Sequence, residues 1–240
     1  MPTHWKSYPT LAGAAAACAH DTISVLNEAL AERGRASIAV SGGGPPKLLF
    51  AELAQAGLDW NRIHVFFVDE RCVPPDHEAS NFRLCRETLL EPAQVPYPSV
   101  HRMKGELPAH DAAPDYEREL RAFFADEEVP RFDLILRGMG PDAHTASLFP
   151  GEPLIEDRRL LVGYVDVANQ YRYRVTLLPA VLLNARNTFV LAGGAEKAEK
   201  IGQVFSGPRN TLALPSQLDT PWASWVTWYL DDAASAPLRT

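Results

Sequence analysis

Short runs of β-branched and aromatic residues alternate along this chain with longer stretches of helical periodicity. Ser37-Ile38-Ala39-Val40 is followed by a helical pattern from Leu48 to Ala56. Ile63 to Val68 is then a second strand-like run, and Ser80 to Leu90 a second helix. The rhythm resumes with a helix over Pro114 to Ala125, a strand at Phe132 to Leu136, a strand near Leu160 to Val167, and Thr188 to Ala192 leading into a helix over Ala195 to Phe205. Strands that alternate with helices predict an α/β fold, a mostly parallel sheet flanked by helices on both faces. Leu11 to Ala19 is alanine-rich and continues through His20 and Asp21 into Ile23, Val25, Leu26 and Leu30, which reads as an amphipathic helix and not as a leader peptide. No stretch approaches the roughly 20 apolar residues that cross a bilayer. The prolines between Glu91 and Pro108 read as surface connections, so residues 1–240 are expected to form a single domain.

Composition narrows the function classes. A net charge of −7 at pH 7 argues against nucleic acid, whose binders carry a basic excess, and an anionic ligand would require local positive charge. The cysteines Cys18, Cys72 and Cys85 are odd in number and form no CxxC pair, so neither a disulfide framework nor a zinc ribbon is expected, and a reducing cytoplasm is the expected setting. Nothing sets an oligomeric state; a monomer is the expectation.

Ligands of open parallel sheets bind beyond the carboxyl ends of the strands, so the strand-to-helix junctions carry the candidate chemistry. The first reads Ser41-Gly42-Gly43-Gly44-Pro45-Pro46-Lys47: either a phosphate cradle of backbone N–H groups at a helix start, or a tight turn using glycine for steric reasons. It matches neither the nucleoside-triphosphate loop nor the dinucleotide fingerprint. The second, Asp69-Glu70-Arg71, offers a guanidinium fork for a phosphate or carboxylate and a carboxylate for hydroxyls, or else a surface ion cluster. The third runs from Gly138 to Gly151 and sets Asp142 two residues before His144, so that a carboxylate can orient an imidazole acting as general base; a structural histidine capping the turn is the alternative. No GxSxG elbow supplies a serine nucleophile, and Asp-x-His alone provides too few metal ligands. Arg174 and Lys197, at the last junctions, either complete a cationic pocket or are solvated charges.

Together these segments resemble the 6-phosphogluconolactonase family, which groups with the glucosamine-6-phosphate deaminases and ribose-5-phosphate isomerases in a Rossmann-like superfamily. The resemblance spans most of the chain and rests on Ser41 to Gly43, Asp69-Glu70-Arg71 with Val73-Pro74 and Ser80-Asn81, Gly138 to Gly151, Arg174-Val175-Thr176, and Gly194 with Lys197-Ala198. It implies hydrolysis of 6-phosphoglucono-δ-lactone in the oxidative pentose phosphate route without metal or organic cofactor, the partner being a small phosphosugar lactone and neither nucleic acid nor membrane. It further implies His144 as the base, Asp142 as its orienter, and Ser41, Gly42, Gly43, Asp69, Arg71, Arg174 and Lys197 as contacts to the substrate, its phosphate or the oxyanion. Deaminase relatives follow the histidine with an Asn-Glu-Pro segment whose carboxylate assists ring opening; here that place reads Leu148-Phe149-Pro150, which points to the lactonase. Two features depart from the family pattern. Gly44-Pro45-Pro46 removes hydroxyls and backbone donors from the first turn, and Ala143 stands where the family has glycine. The rival expectations are a phosphosugar isomerase or deaminase, and a non-catalytic sugar-phosphate sensor.

Overall fold

The structure, a computed structural model, describes residues 4–167, 171–219 and 226–239. Its elements begin with β1 (His4–Tyr8), α1 (Leu11–Arg33), β2 (Ala36–Val40), α2 (Gly44–Leu53), β3 (Ile63–Phe67), β4 (Asp69–Arg71) and α3 (Asn81–Cys85). They continue with β5 (Val100–His101), α4 (Ala109–Phe123), β6 (Leu134–Arg137), β7 (Val162–Asp166), β8 (Tyr173–Leu177), α5 (Pro179–Leu182), β9 (Thr188–Ala192), α6 (Ala198–Ser206), β10 (Val226–Asp231) and α7 (Asp232–Ser235). Seven strands form one sheet in the order β1-β10-β9-β6-β2-β3-β5, and every pairing in it is parallel.

Burial follows the two-residue period of a strand covered on both faces. Phe189 and Leu191 of β9 join the core that also holds α1, α2 and α4, while the intervening Val190 and Ala192 pack with Ile201 and Val204 of α6 and Ala234 of α7. Tyr229 and its neighbours Trp228 and Leu230 divide in the same way on β10. β2 and β6, central to the sheet, are buried along their whole length.

From β2 the chain steps outward to β3 and β5; from β6 it steps the other way to β9 and β10. Between β2 and β6 lies the switch point, where an open sheet leaves a crevice at its carboxyl edge. The Ser41 amide donates to the Leu136 carbonyl (3.1 Å) and closes its floor.

Several expectations are corrected. The strand near Leu160 to Val167 exists, but outside the parallel sheet: β7 pairs antiparallel with β8, and β8 with β4, in a separate three-stranded sheet beside the crevice. The helix expected from Leu48 starts at Gly44, because the first turn of a helix has no internal partners for its N–H groups and so accepts Pro45 and Pro46. The helix expected from Pro114 starts at Ala109 and contains that proline, at the cost of one bond to the His110 carbonyl. The helix from Ser80 to Leu90 changes from α to π geometry at Arg86. β1, β4, β5, β8 and β10 lie where no strand is expected. Among the described residues, no helix is long and apolar enough to cross a membrane.

Candidate active site

The crevice is a cleft of about 220 Å³ whose wall includes Ser41, Gly42, Gly43, Asp69, Arg71, His144, Arg174 and Lys197. Asp142 is joined to it through His144. Every residue singled out from the sequence is thus gathered at the carboxyl edge of the sheet, although the sequence brings them from five separate segments.

The turn after β2 forms one side. Gly43 has φ of +113°, which a glycine accepts without strain. At Gly42 a Cβ would lie 1.9 Å from Asn81 Oδ1, so that position admits no side chain while Asn81 stays in place. With Pro45 and Pro46 lacking N–H groups, the remaining backbone donors at the start of α2 are those of the glycines.

The loop after β6 forms the opposite side. The Gly140 amide donates to the His144 carbonyl (2.9 Å) and the Ala143 amide to the Gly140 carbonyl (3.0 Å), closing a tight bend. Ala143 takes φ of +71°: the bend keeps the left-handed conformation without glycine, at a cost on the order of 1 kcal/mol. Asp142 Oδ1 lies 2.6 Å from His144 Nδ1 and also accepts the His144 amide at 3.1 Å. Burial works against ionisation of Asp142, yet the hydrogen bonds and charge of His144 hold its carboxyl below the ordinary carboxylate range. With Nδ1 engaged, Nε2 is the ring nitrogen left to exchange a proton in the cleft.

The small sheet provides the third side. In the β4–β8 register Arg71 stands directly opposite Arg174, two like charges where a sheet normally pairs opposite ones. Arg71 donates to the Ala79 carbonyl (2.5 Å), and among the described residues neither its Nε nor that of Arg174 has a hydrogen-bond partner. Burial, and then Arg71, pull the Arg174 pKa down; burial lowers that of Lys197 against the opposing pull of Glu196 and Asp231. The turn that carries Lys197 is fixed by Gly194, whose amide donates to both carboxylate oxygens of Asp231 (3.1 and 2.9 Å). Asp69 is buried and accepts from Ser147 Oγ at 2.7 Å.

The surface ion cluster considered for Asp69-Glu70-Arg71 does not form. Glu70 is 2% exposed and accepts from the amides of Arg71, Asn81 and Phe82 and from Ser80 Oγ, at 2.7 to 3.0 Å. Sequence reasoning gives no place in the site to Asn81, Met139, Ala146 or Leu191, which line the cleft, nor to Ser147 and Phe149, which hold its parts together. The Ser80-Asn81 motif was the available signal for Asn81; the others are ordinary residues made special by a turn. Beyond Lys197, Lys200 donates to Gln203 Oε1 (3.1 Å). A larger hollow of about 540 Å³ beside Phe82, Tyr97 and Arg102 is mostly apolar and contains no histidine; the chemistry lies in the smaller cleft. Among the described residues, no group of three or more His, Cys, Asp or Glu is placed to hold a metal ion.

Known proteins are similar to this chain in sequence and in fold. The sequence profile described as "Glucosamine-6-phosphate isomerases/6-phosphogluconolactonase" matches residues 9–228. The chain is 38% identical over 220 residues to a 6-phosphogluconolactonase of Synechocystis, covering 89% of each, and 38% identical over 209 residues to one of Rattus norvegicus, covering 85% of this chain and 80% of that one. Among solved structures, the 6-phosphogluconolactonase of Trypanosoma brucei superposes with a TM-score of 0.86 at 27% identity over 98% of both chains. A monomeric glucosamine-6-phosphate deaminase superposes with a TM-score of 0.84 at 16% identity, covering 98% of this chain and all of that one, a likeness of fold alone.

Proposed function

Because the chain belongs to the glucosamine-6-phosphate isomerase and 6-phosphogluconolactonase family, we infer that it is a 6-phosphogluconolactonase, which hydrolyses 6-phosphoglucono-δ-lactone to 6-phosphogluconate in the oxidative pentose phosphate route. The observation that carries this reading to the residues is the Asp142–His144 pair, 2.6 Å apart, facing a cleft walled by three cations in a protein of net charge −7.

In the mechanism that fits this geometry, His144 Nε2 takes a proton from water while Asp142 holds Nδ1–H and steadies the imidazolium. The hydroxide attacks the lactone carbonyl carbon, and a C–O bond forms as the carbonyl electrons move to oxygen. The oxyanion collapses, the ring C–O bond breaks, and the departing oxygen takes the proton from His144 to become the sugar hydroxyl. The product carboxylic acid then loses its proton to solvent. Arg71, Arg174 and Lys197 hold the phosphate and the developing oxyanion, an interaction that a water-poor cleft strengthens. The unpaired thiols of Cys18, Cys72 and Cys85 fit work in a reducing cytoplasm.

The test is direct. Purified protein is expected to accelerate hydrolysis of freshly prepared 6-phosphogluconolactone above its spontaneous rate, and His144→Ala to remove most of that acceleration. A wild type that leaves the spontaneous rate unchanged refutes the assignment, and a fully active His144→Ala refutes the base. Glucosamine 6-phosphate, assayed in parallel, is expected to give no turnover.

A further inference from the structure

The segment after His144 doubles back on itself. The Leu148 amide donates to the Thr145 carbonyl (3.0 Å), the Thr145 amide to the Leu148 carbonyl (3.4 Å), and Ala146 takes φ of +52°. This reversal lays Phe149 beside His144: the ring centroids are 4.5 Å apart at an interplanar angle of 34°. The same phenyl ring carries the Arg174 guanidinium, whose Cζ is 5.5 Å from its centroid. One aromatic side chain therefore touches both the group assigned as base and a cation of the cleft.

The charges around His144 give this contact a purpose. Asp142, on the same loop, favours the imidazolium. Arg71 and Asp69 on β4, Arg174 on β8 and Lys197 before α6 share the cleft wall, so the cations outnumber the acid among them. A proton arriving on His144 would add a further positive charge next to Arg174, which is already opposed by Arg71 across the strands. An aromatic face attracts cations through its quadrupole and, unlike a carboxylate, adds no charge that would repel an anionic substrate.

We propose that Phe149 is a positioning residue of the hydrolysis: its ring sets the orientation of the His144 imidazole and, by contacting both cations, offsets the repulsion between the imidazolium and Arg174. Ser147 supports this role from the same reversal, since its hydroxyl donates to Asp69 and its amide to Thr176 Oγ1 (3.3 Å), fixing the loop to the small sheet on which Arg174 sits. The kinetic part of the inference rests on the lactonase reading; the titration of His144 does not.

The experiment compares wild type with Phe149→Leu, Phe149→Met and Phe149→Tyr, each checked for folding by circular dichroism. In the unliganded proteins, NMR titration of the His144 ring is expected to show a midpoint lower by about 0.5 unit in the leucine and methionine variants and near wild type in the tyrosine variant. In lactone hydrolysis, the same two variants are expected to lose roughly tenfold in kcat with little change in KM, and the acid limb of the pH–rate profile should move with the NMR midpoint. The methionine variant offers an unbranched, adaptable chain without a ring if the branched leucine packs too poorly for folding. A midpoint that stays or rises in both ringless variants overturns the electrostatic role, and an unchanged kcat overturns the positioning role. A wild type without lactonase activity refutes the functional reading instead, and the titration still decides whether the ring acts on His144.

Discussion

At the scale of single residues, the site depends on side chains that are missing as much as on those present. A Cβ at Gly140 would fall 2.1 Å from both Cε1 and Nδ1 of His144 and 2.9 Å from Asp142 Oδ1, so the imidazole and its carboxylate occupy the space that a side chain would fill. Gly140 does not adopt a positive φ, so alanine is acceptable to the backbone and the damage should be confined to the ring. Gly140→Ala is therefore expected to keep its melting temperature within a few degrees, while displacement of the imidazole by on the order of 1 Å lowers kcat about a hundredfold. Steady-state kinetics beside a thermal melt would check this, and a variant with near-wild-type kcat would show that the ring can move without loss. Ala143, three residues on, presents the converse case. Its left-handed φ costs energy, but its methyl is fully buried and recovers part of that cost. The Asp142–His144 pairing was legible from a spacing of two residues. The contact of His144 with Phe149 was not, because it depends on Ala146 taking a positive φ, a conformation to which alanine gives no clue.

At the scale of elements, legibility followed burial. β2, β3, β6 and β9 are hydrophobic runs because the sheet is covered on both faces, and their periodicity marks them. β4 reads Asp-Glu-Arg and β8 contains Arg174, since both turn toward the cleft, and the chemistry of the site displaces the strand signal. β7 was legible as a strand but its antiparallel partner was not, because pairing is settled by residues distant in sequence. What holds β4 to α3 is Glu70, a buried carboxylate that gathers three backbone amides and the Ser80 hydroxyl around the segment carrying Arg71 and Asn81. Glu70→Ala would leave those donors to a narrow, water-filled gap, costing about 3 kcal/mol, given the 1 to 3 kcal/mol typical of each buried donor and partial rescue by solvent. The variant is expected to unfold at lower urea and to show a raised KM for the lactone, since Arg71 and Asn81 lose their common anchor. A large loss of stability with unchanged KM would mean that the cleft is held by β8 alone.

At the scale of the whole molecule, groups remote from the cleft govern how the fold answers acid. His64 is the second residue of β3, near the end away from the cleft; its Nδ1 lies 3.0 Å from His101 Nε2, and His101 Nδ1 lies 2.6 Å from Glu119 Oε1. Burial first, and then the neighbouring His101 and Arg35, pull the His64 pKa down to about 4. In the unfolded chain the same imidazole takes its proton near pH 6.5, so between these values the unfolded state binds more protons than the folded one. Its contribution is thus complete above pH 6.5 and is lost progressively as the pH falls toward 4. Because the ring is only partly buried, solvent screening reduces the loss to on the order of 1 kcal/mol. Asp21 acts in a separate window: against the burial that would raise it, hydrogen bonds from Lys6 and Tyr229 hold its pKa to about 2, so its contribution fades between about pH 4 and 2. The urea midpoint of the wild type is expected to fall between pH 7 and 4.5 and again below 4. In His64→Gln, which cannot take the proton, the first decline should flatten while the second persists, and kcat at pH 7.5 should be unchanged because the substitution is remote from the cleft. A variant whose midpoint still falls between pH 7 and 4.5 as steeply as wild type would assign that loss to other groups.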